Sequence, residues 1–570
     1  MNRWTLLLAA LGLVPTLLQA EPGPFGIGSC HINGRSVDDY ERWVPEMREI
    51  GIGYQRSLMT HWGAVEPEPG KWNWENVDAQ WKYLHDLGFE TGTLLIGTPS
   101  WNKKDPPGHL PVNHIEGWKE YVRQTVTHFR GKVSRFEVWN EPPNFTGPNQ
   151  TPADYAKLVV AAYDAAKEAN PDCEIGLTAK SAHIHYLKQV IRAGAADHFD
   201  WISLHPYEVL DGIVEDAGME CAYLNIVPTV RRMLVAENPA KRDVPITFTE
   251  LGVDAVRHGE KAQAAALVKA YVMGIAQGVE NIQWFEGRDG DSGPMGLLDR
   301  DGKPRMAYRA YSRMIKELGP NPEPMGWLQV GETGLGFAFK VNGQPVVVAW
   351  VPRKESETVT LPDGCRSVGL VDRSEATSGE LRLDGLPVAL HGLPSSWIGK
   401  VRQIRGGLPP WPGDPGSYAD AKSVSIDFSR KPAEQGLHRR SGERLAEAIV
   451  AYGGSARAGD APGGNLFTVD PAFLCYDPEP IRITAEVRRK DPAVNAGFKL
   501  VYEGGKDFKT AGGWFTVPPE DGWHTATWTI EDPGFVSYWG YHFRIESDGP
   551  KFSQYYLRRI VVEKLDGASR

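Results

Sequence analysis

Up to about residue 320, short apolar runs alternate with amphipathic segments, and this alternation constrains the fold more than any other feature of the chain. Eight of the apolar runs have the length of buried strands, at residues 25–32, 53–59, 90–98, 135–140, 174–179, 199–205, 246–250 and 281–285. Helical spacing follows them, near residues 36–50, 76–87, 115–129, 151–170, 183–193, 219–237, 261–277 and 305–318. Eight strand-then-helix units predict an α/β fold, a (β/α)₈ TIM barrel over residues 21–320, rather than a doubly wound sheet.

The pattern changes after Gly319-Pro320. Short strand-like runs without a helical period predict a small antiparallel β domain, a β-sandwich, over residues 321–402. Residues 403–418 are rich in proline and glycine and predict a stiff linker. Evenly spaced short strands beyond it predict a C-terminal, jelly-roll-like β-sandwich over residues 419–567.

The amino-terminal segment, residues 1–20, has the pattern of a signal peptide: one arginine, a leucine-rich run and a small residue, Ala20, at the expected cut. We therefore expect a secreted or periplasmic protein without a membrane span, with a retained amino-terminal anchor as the alternative. The net charge of −10 is spread over interspersed acidic and basic residues, which argues against a nucleic-acid partner. The five cysteines are far apart and form no metal-ligand pair, so we expect no metal and no cofactor.

Two glutamates, Glu141 and Glu250, each end an apolar run of the predicted barrel. A carboxylate at the end of a core strand is costly to bury, and the carboxyl ends of barrel strands are where such folds place their chemistry. A pair of carboxylates facing one pocket is what glycoside hydrolysis requires. The alternative is a structural ion pair, the interpretation we favour for Glu137, which lies four residues deeper on the same strand.

The residues around the two glutamates resemble a known group of enzymes. Trp139-Asn140-Glu141-Pro142 is similar to the fourth-strand signature of glycoside hydrolase clan A, and Thr249-Glu250 to its seventh-strand motif. Within the clan, residues 24–400 are most similar to family 39, which includes β-xylosidases, α-L-iduronidases and bacterial exopolysaccharide hydrolases. The resemblance implies a retaining hydrolase of β-type bonds in a poly- or oligosaccharide, with Glu141 as acid/base and Glu250 as nucleophile.

Further residues are expected to bind the substrate or to orient the glutamates. They are Arg56, Asn140, His205, Tyr207, Trp101 and Trp284. Arg56 would keep Glu250 ionised and Tyr207 would orient it, whereas Asn140 would donate to the sugar 2-hydroxyl. Two plainer interpretations stay open, a core ion pair for Arg56 and a loop-bracing role for His205. The resemblance alone implies sugar contacts for Trp101 and Trp284.

An alternative function is that of a non-hydrolytic polysaccharide-binding protein on a barrel scaffold. The presence of both carboxylates and of Asn140 counts against it. The C-terminal domain carries aromatic residues that could bind sugar, as in a carbohydrate-binding module: Trp514, Trp523, Trp528, Trp539, Tyr538 and Tyr541. In the other interpretation, this domain only packs against the barrel and its tryptophans are core.

Overall fold

A computed structural model describes residues 23–29, 42–215, 218–290, 292–353, 355–372, 374–414, 416–431, 433–440, 448–451, 454–461 and 463–565. Eight parallel strands pair in sequence order and close into a barrel, which confirms the predicted fold. They are β1 Phe25–Ser29, β2 Tyr54–Met59, β3 Glu90–Leu95, β4 Arg135–Val138, β5 Glu174–Lys180, β6 Trp201–His205, β7 Ile246–Leu251 and β8 Asn281–Phe285. The predicted signal peptide, residues 1–20, lies outside the described residues.

Helices surround the barrel. They are α1 Val44–Glu49, α2 Trp62–Val65, α3 Glu75–Asp86, α4 Ile115–His128, α5 Pro152–Ala169, α6 Ile184–Val190, α7 Tyr207–Val214, α8 Glu220–Leu224, α9 Ile226–Glu237, α10 Ala255–His258, α11 Glu260–Gln277 and α12 Met306–Leu318. A π-helical turn, Ile191–Ala195, extends α6, and a 3₁₀ turn, Pro239–Lys241, follows α9. Within the described part of the chain, every helix is too short or too polar to cross a membrane.

Helix α5 shows how the sequence fixes both a helix and the strand end beside it. Thr151 and Asp154 form a reciprocal capping box, and proline occupies the first turn, where its missing N–H costs nothing. The buried hydroxyl of Tyr155 donates to the Val138 carbonyl (2.7 Å) and accepts from the Thr178 N–H (3.2 Å). This helix therefore ties the end of β4 to β5.

The prediction that the fourth strand continues to residue 140 is wrong. The strand ends at Val138 because Trp139 and Glu141 have φ values of 68° and 47°. The left-handed region cannot continue a strand and is costly for residues with a Cβ atom. This turn directs the Glu141 side chain out of the strand and into the site described below.

The second domain is a single six-stranded antiparallel sheet in the order β13-β12-β14-β11-β10-β9. Its strands are β9 Glu323–Val330, β10 Gly334–Val341, β11 Gln344–Trp350, β12 Glu357–Gly369, β13 Glu375–Leu383 and β14 Val388–His391. A short helix, α13 Ser395–Ile398, and a 3₁₀ turn, Ile404–Gly406, follow it. Phe337, Phe339 and Trp350 on one face belong to the barrel's hydrophobic core, so the sheet is fixed to the barrel.

The third domain consists of two antiparallel sheets around a separate core. Its strands are β15 Ser423–Asp427, β16 Glu434–Gln435, β17 Leu437–Arg439, β18 Ala448–Ala451, β19 Gly454–Ala458, β20 Asn465–Val469, β21 Ile481–Arg489, β22 Gly497–Glu503, β23 Phe508–Thr516, β24 His524–Ile530, β25 Phe543–Glu546 and β26 Tyr555–Lys564. Cys475, Tyr476, Val536 and Tyr538 of this domain are packed into the barrel's core. The structure thus favours a docked domain over a tethered module.

The proline- and glycine-rich segment is also packed rather than a free spacer. Trp411 is only 2% exposed and stacks on His438 of the third domain, with ring centroids 4.1 Å apart. The Cys221 thiol of the barrel donates to the Pro409 carbonyl (3.2 Å). Composition alone does not show that an apolar ring in the segment has a pocket to fill.

The aromatic residues of the third domain divide between core and surface. Trp528, Tyr538 and Tyr541 are buried, whereas Trp514 and Trp539 are 38% and 37% exposed. Trp528 is buried because it alternates with Ala526 and Ile530 on the inner face of β24. Trp523 is partly buried, and the Arg558 guanidinium lies 4.4 Å from its ring centroid. Trp514 and Trp539 therefore offer the most exposed tryptophan rings of this set as sugar platforms.

We predict that Trp411→Ala lowers the free energy of unfolding by about 3–5 kcal/mol, because it leaves a cavity between barrel and third domain. Trp514→Ala, the matched control with an exposed ring, should cost about 1 kcal/mol or less. Urea unfolding followed by circular dichroism measures both. Equal losses of stability would show that the segment is a free linker after all.

Candidate active site

Arg56, on β2, contacts three side chains at the carboxyl end of the barrel. Its guanidinium donates to Glu137 Oε2 (2.7 Å), to Asn140 Oδ1 (2.9 Å) and, through a short contact, to Glu250 Oε1. Burial lowers the pKa of Arg56, but the charges of Glu137 and Glu250 raise it by more, so the group stays protonated. The core ion pair and the contact to Glu250, weighed as alternatives from the sequence, are both present.

Glu137 anchors a buried layer of hydroxyl groups beneath the site. Its second oxygen accepts a hydrogen bond from Ser203 (2.8 Å) and is 3.4 Å from the Thr249 hydroxyl. The Ser203 and Thr249 hydroxyls also contact each other. This layer joins β4, β6 and β7 and supports the residues above it. The sequence gives no direct signal for Ser203, since a serine in a buried strand is common.

His205, fully buried at the end of β6, connects this layer to Glu141. Its Nδ1 lies 2.7 Å from Glu141 Oε1, and its Nε2 lies 2.8 Å from the Thr249 hydroxyl. Its Nδ1 is also 3.6 Å from Glu250 Oε2. His205 is therefore placed between the two glutamates rather than bracing a loop.

The two members of this pair have opposite pKa shifts. Burial raises the pKa of Glu141, but the hydrogen bond and charge of His205, the charge of Arg56 and a hydrogen bond from Asn144 lower it by more. Burial lowers the pKa of His205, but the charge of Glu250 and the contact with Glu141 raise it above its ordinary value. These opposite shifts, together with the 2.7 Å contact, favour an ion pair in which His205 carries the shared proton.

Glu250 is held by two donors. Besides the Arg56 guanidinium, the Tyr207 hydroxyl donates to Glu250 Oε2 (3.1 Å). The two glutamate side chains are 16% (Glu141) and 15% (Glu250) exposed. One oxygen of each carboxylate and one nitrogen of His205 lie within 4.8 Å of one another. The two carboxylates thus face a common, partly open space.

Glu141, His205 and Glu250 could also hold a metal ion, since they offer three ligand atoms within 4.8 Å. However, Arg56 already places a positive charge on Glu250, and a second cation there would meet electrostatic repulsion. The site is therefore explained without a metal.

The two tryptophans for which the resemblance implies sugar contacts differ in burial, and both indoles donate hydrogen bonds to backbone carbonyls. Trp284 is fully buried, and its indole donates to the Met295 carbonyl (3.0 Å), so it presents no surface to a sugar. Trp101 is partly buried and donates to the Glu66 carbonyl (2.7 Å). Asn140 lies beside the glutamates through its bond to Arg56.

Residues 26–285 match the family model of Glycosyl hydrolases family 39. Among solved structures, a family 39 glycoside hydrolase from the gut symbiont Bacteroides cellulosilyticus WH2 has a TM-score of 0.54 at 20% identity; the alignment covers 66% of this chain and 82% of that one. At this identity, the similarity concerns the fold alone.

Two curated relatives are both named endo-1,4-beta-xylanase A. That of Phanerodontia chrysosporium is 22% identical over 231 residues, 37% of this chain and 54% of the relative. That of Thermotoga maritima is 31% identical over 123 residues, 18% of this chain and 11% of the relative. The chain thus spans about half of the first relative and about a tenth of the second. The match of residues 26–285 to the family 39 model and the closed barrel together indicate that the barrel domain is an O-glycosyl hydrolase domain of clan A.

Proposed function

We propose that this protein is a retaining glycoside hydrolase that cleaves β-type bonds by double displacement. The observation that carries the proposal is the spacing of Glu141 and Glu250, with carboxylate oxygens within 4.8 Å. Retaining enzymes hold their carboxyl groups about 5–5.5 Å apart, whereas inverting enzymes need about 6.5–9.5 Å to admit a water between them.

In the first step, a Glu250 oxygen forms a bond to the anomeric carbon as the bond from that carbon to the leaving-group oxygen breaks. Glu141 gives its proton to that oxygen. In the second step, Glu141 takes a proton from water, whose oxygen attacks the anomeric carbon and releases the Glu250 carboxylate. Hydrogen bonds from Arg56 and Tyr207 orient the Glu250 carboxylate for the first step.

His205 supplies the proton that Glu141 delivers. A sugar bound over the glutamates excludes water, and this desolvation raises the pKa of Glu141. The proton then moves from His205 Nδ1 to Glu141 Oε1 across the 2.7 Å hydrogen bond. The Thr249 hydroxyl accepts from Nε2 and keeps the ring in place during the transfer.

The names of the two relatives support a β-1,4-linked polysaccharide as the substrate class, with xylan as the first to test. Residues 1–20, which have the pattern of a signal peptide, support export of the protein to a compartment in which it would meet such polysaccharides.

The hydrolase proposal predicts that wild-type protein releases reducing sugar from β-1,4-xylan or from its glucose or mannose counterparts, whereas Glu250→Gln does not. Proton NMR of the first product should show the β-anomer, because two displacements restore the configuration. Polymer binding without release of sugar by the wild type would favour the non-hydrolytic alternative, and an inverted anomer would contradict the roles given to the glutamates.

Azide should distinguish the roles of the two glutamates. In Glu250→Ala, a small anion can enter the cavity and attack from the α face, so we expect an α-glycosyl azide. Glu141→Ala should retain fast glycosylation on 2,4-dinitrophenyl β-glycosides, which need little acid assistance, and azide should yield a β-glycosyl azide. Swapped stereochemistry in the two variants would reverse the assignment.

The pH profile tests the shared proton. Because the pKa of His205 is raised, the pair keeps its proton until the pH passes above about 6.5, the ordinary histidine value. We expect kcat/KM for an oligosaccharide to fall with an alkaline pKa higher than this value. Glu141→Ala, assayed on a 2,4-dinitrophenyl β-glycoside, should lack this alkaline limb. An alkaline pKa of the wild-type profile below the ordinary histidine value would contradict a proton shared between His205 and Glu141. An alkaline limb that persists in Glu141→Ala would contradict it as well.

A further inference from the structure

A loop of the third domain, residues 535–541, is held rigidly at the mouth of the barrel. Glu503, fully buried on β22, accepts hydrogen bonds from the backbone N–H groups of Val536 (2.9 Å), Ser537 (2.9 Å) and Tyr538 (3.0 Å). The Tyr538 hydroxyl donates to Asp507 (2.7 Å). These bonds fix the loop before any ligand binds, which reduces the entropy cost of binding.

The loop docks where β5 and β6 end. Tyr538 stacks on His183, with ring centroids 4.2 Å apart and planes 3° apart. A Cβ atom on Gly540 would lie 2.5 Å from the Glu208 carbonyl oxygen, so the two backbones are in direct contact there. Trp539 lies between these two contacts, and its ring remains 37% exposed.

Trp539 lies on the Glu141 side of the catalytic pair. The Lys180 ammonium is 5.1 Å from the Trp539 ring centroid and donates to Asn144 Oδ1 (3.3 Å). Asn144 in turn hydrogen-bonds Glu141. The general acid protonates the leaving-group oxygen, so the leaving group extends from Glu141 away from Glu250. This chain of contacts leads from the acid to the exposed indole.

Two further features on this side fit a bound sugar. Phe145, next to Asn144, is 62% exposed and offers a second flat ring. One carboxylate oxygen of Glu208 accepts a hydrogen bond from the Ser181 hydroxyl (2.8 Å). The other oxygen is buried and has no hydrogen-bond partner among the residues that the structure describes.

We propose that the third domain completes the substrate cleft, with Trp539 as the platform on which the first leaving-group sugar stacks and Glu208 as an acceptor for one of its hydroxyls. The flat indole suits the C–H face of a sugar ring, and the Lys180 ammonium holds the indole through a cation–π contact over one face of the ring. The proposal rests on the hydrolase function given above. It makes the third domain part of the active site rather than a separate polymer-binding module.

The test compares one substrate whose leaving group is a sugar with one whose leaving group is fluoride. β-1,4-Xylohexaose has a sugar to stack on Trp539, whereas β-xylosyl fluoride has none; glucose and mannose counterparts are used if the wild type prefers them. For full-length Trp539→Ala, we expect kcat/KM on the hexasaccharide to fall on the order of tenfold, equivalent to about 1.4 kcal/mol. Its kcat/KM on the fluoride should stay at the wild-type value. Trp514→Ala, the matched exposed tryptophan, should match the wild type on both substrates.

A second measurement uses the glycosyl-enzyme intermediate formed from β-xylosyl fluoride. Added xylobiose should capture it as transfer product in the wild type and in Trp514→Ala, but less in Trp539→Ala. Trp539→Leu, which keeps the apolar packing without the flat ring, should behave like Trp539→Ala and covers the case in which the alanine variant does not fold.

The outcomes separate this proposal from the function on which it rests. A wild type that is inactive on both substrates would refute the hydrolase function itself. An active wild type with equal hexasaccharide activity in Trp539→Leu and Trp514→Ala would overturn the leaving-group platform and leave the hydrolase standing. Equal losses on fluoride and hexasaccharide would also overturn it, because they would indicate a purely structural role.

Discussion

The guanidinium of Arg56 joins three side chains at the mouth of the barrel, and the geometry of the site depends on it. From β2 it reaches Glu137 and Asn140 on one side and Glu250 on the other. A buried cation is stable only when its charge is compensated, and removing one partner of such a pair costs about 3–5 kcal/mol. The barrel therefore fixes the position of the Glu250 carboxylate relative to β4.

The position of Glu141 depends on the backbone at the end of β4 and on a contact with His205. The left-handed backbone at Trp139 and Glu141 ends β4 early, and Tyr155 from α5 holds the strand's last carbonyl. His205 then receives Glu141 at hydrogen-bond distance. Glu250 thus contacts a permanent cation and Glu141 a titratable one, so two chemically similar residues have different electrostatic environments.

The barrel could be predicted from the sequence because parallel strands are buried on both faces and appear as continuous apolar runs. Glu141 and Glu250 could be singled out because burying a charge at the end of such a run costs free energy. A carboxylate is therefore expected there only where it has a function. The early end of β4 could not be predicted, because the left-handed turn at Trp139 has no glycine to mark it. The direction of the His205–Glu141 proton depends on distances between strands, which the sequence does not contain.

In the third domain, the burial of individual aromatic side chains could not be predicted from the sequence either. Tyr538 and Trp539 are neighbours of similar chemistry, yet one is 2% and the other 37% exposed. Aromatic composition cannot distinguish a ring that docks against another domain from one that faces solvent, because both require large apolar residues. For the same reason, the buried Trp284 and the packed Trp411 could not be assigned from their sequence context.

The most direct measurement for the central claim is to trap the covalent intermediate. A 2,4-dinitrophenyl 2-deoxy-2-fluoro-β-xyloside, or its glucose or mannose counterpart, should inactivate the wild-type protein with release of one dinitrophenolate per chain. Peptide mass spectrometry should then place the fluoro-sugar on Glu250, because this carboxylate is oriented by hydrogen bonds from Arg56 and Tyr207. A sugar found on Glu141 or Glu137, or hydrolysis that proceeds without any trapped adduct, would contradict the account.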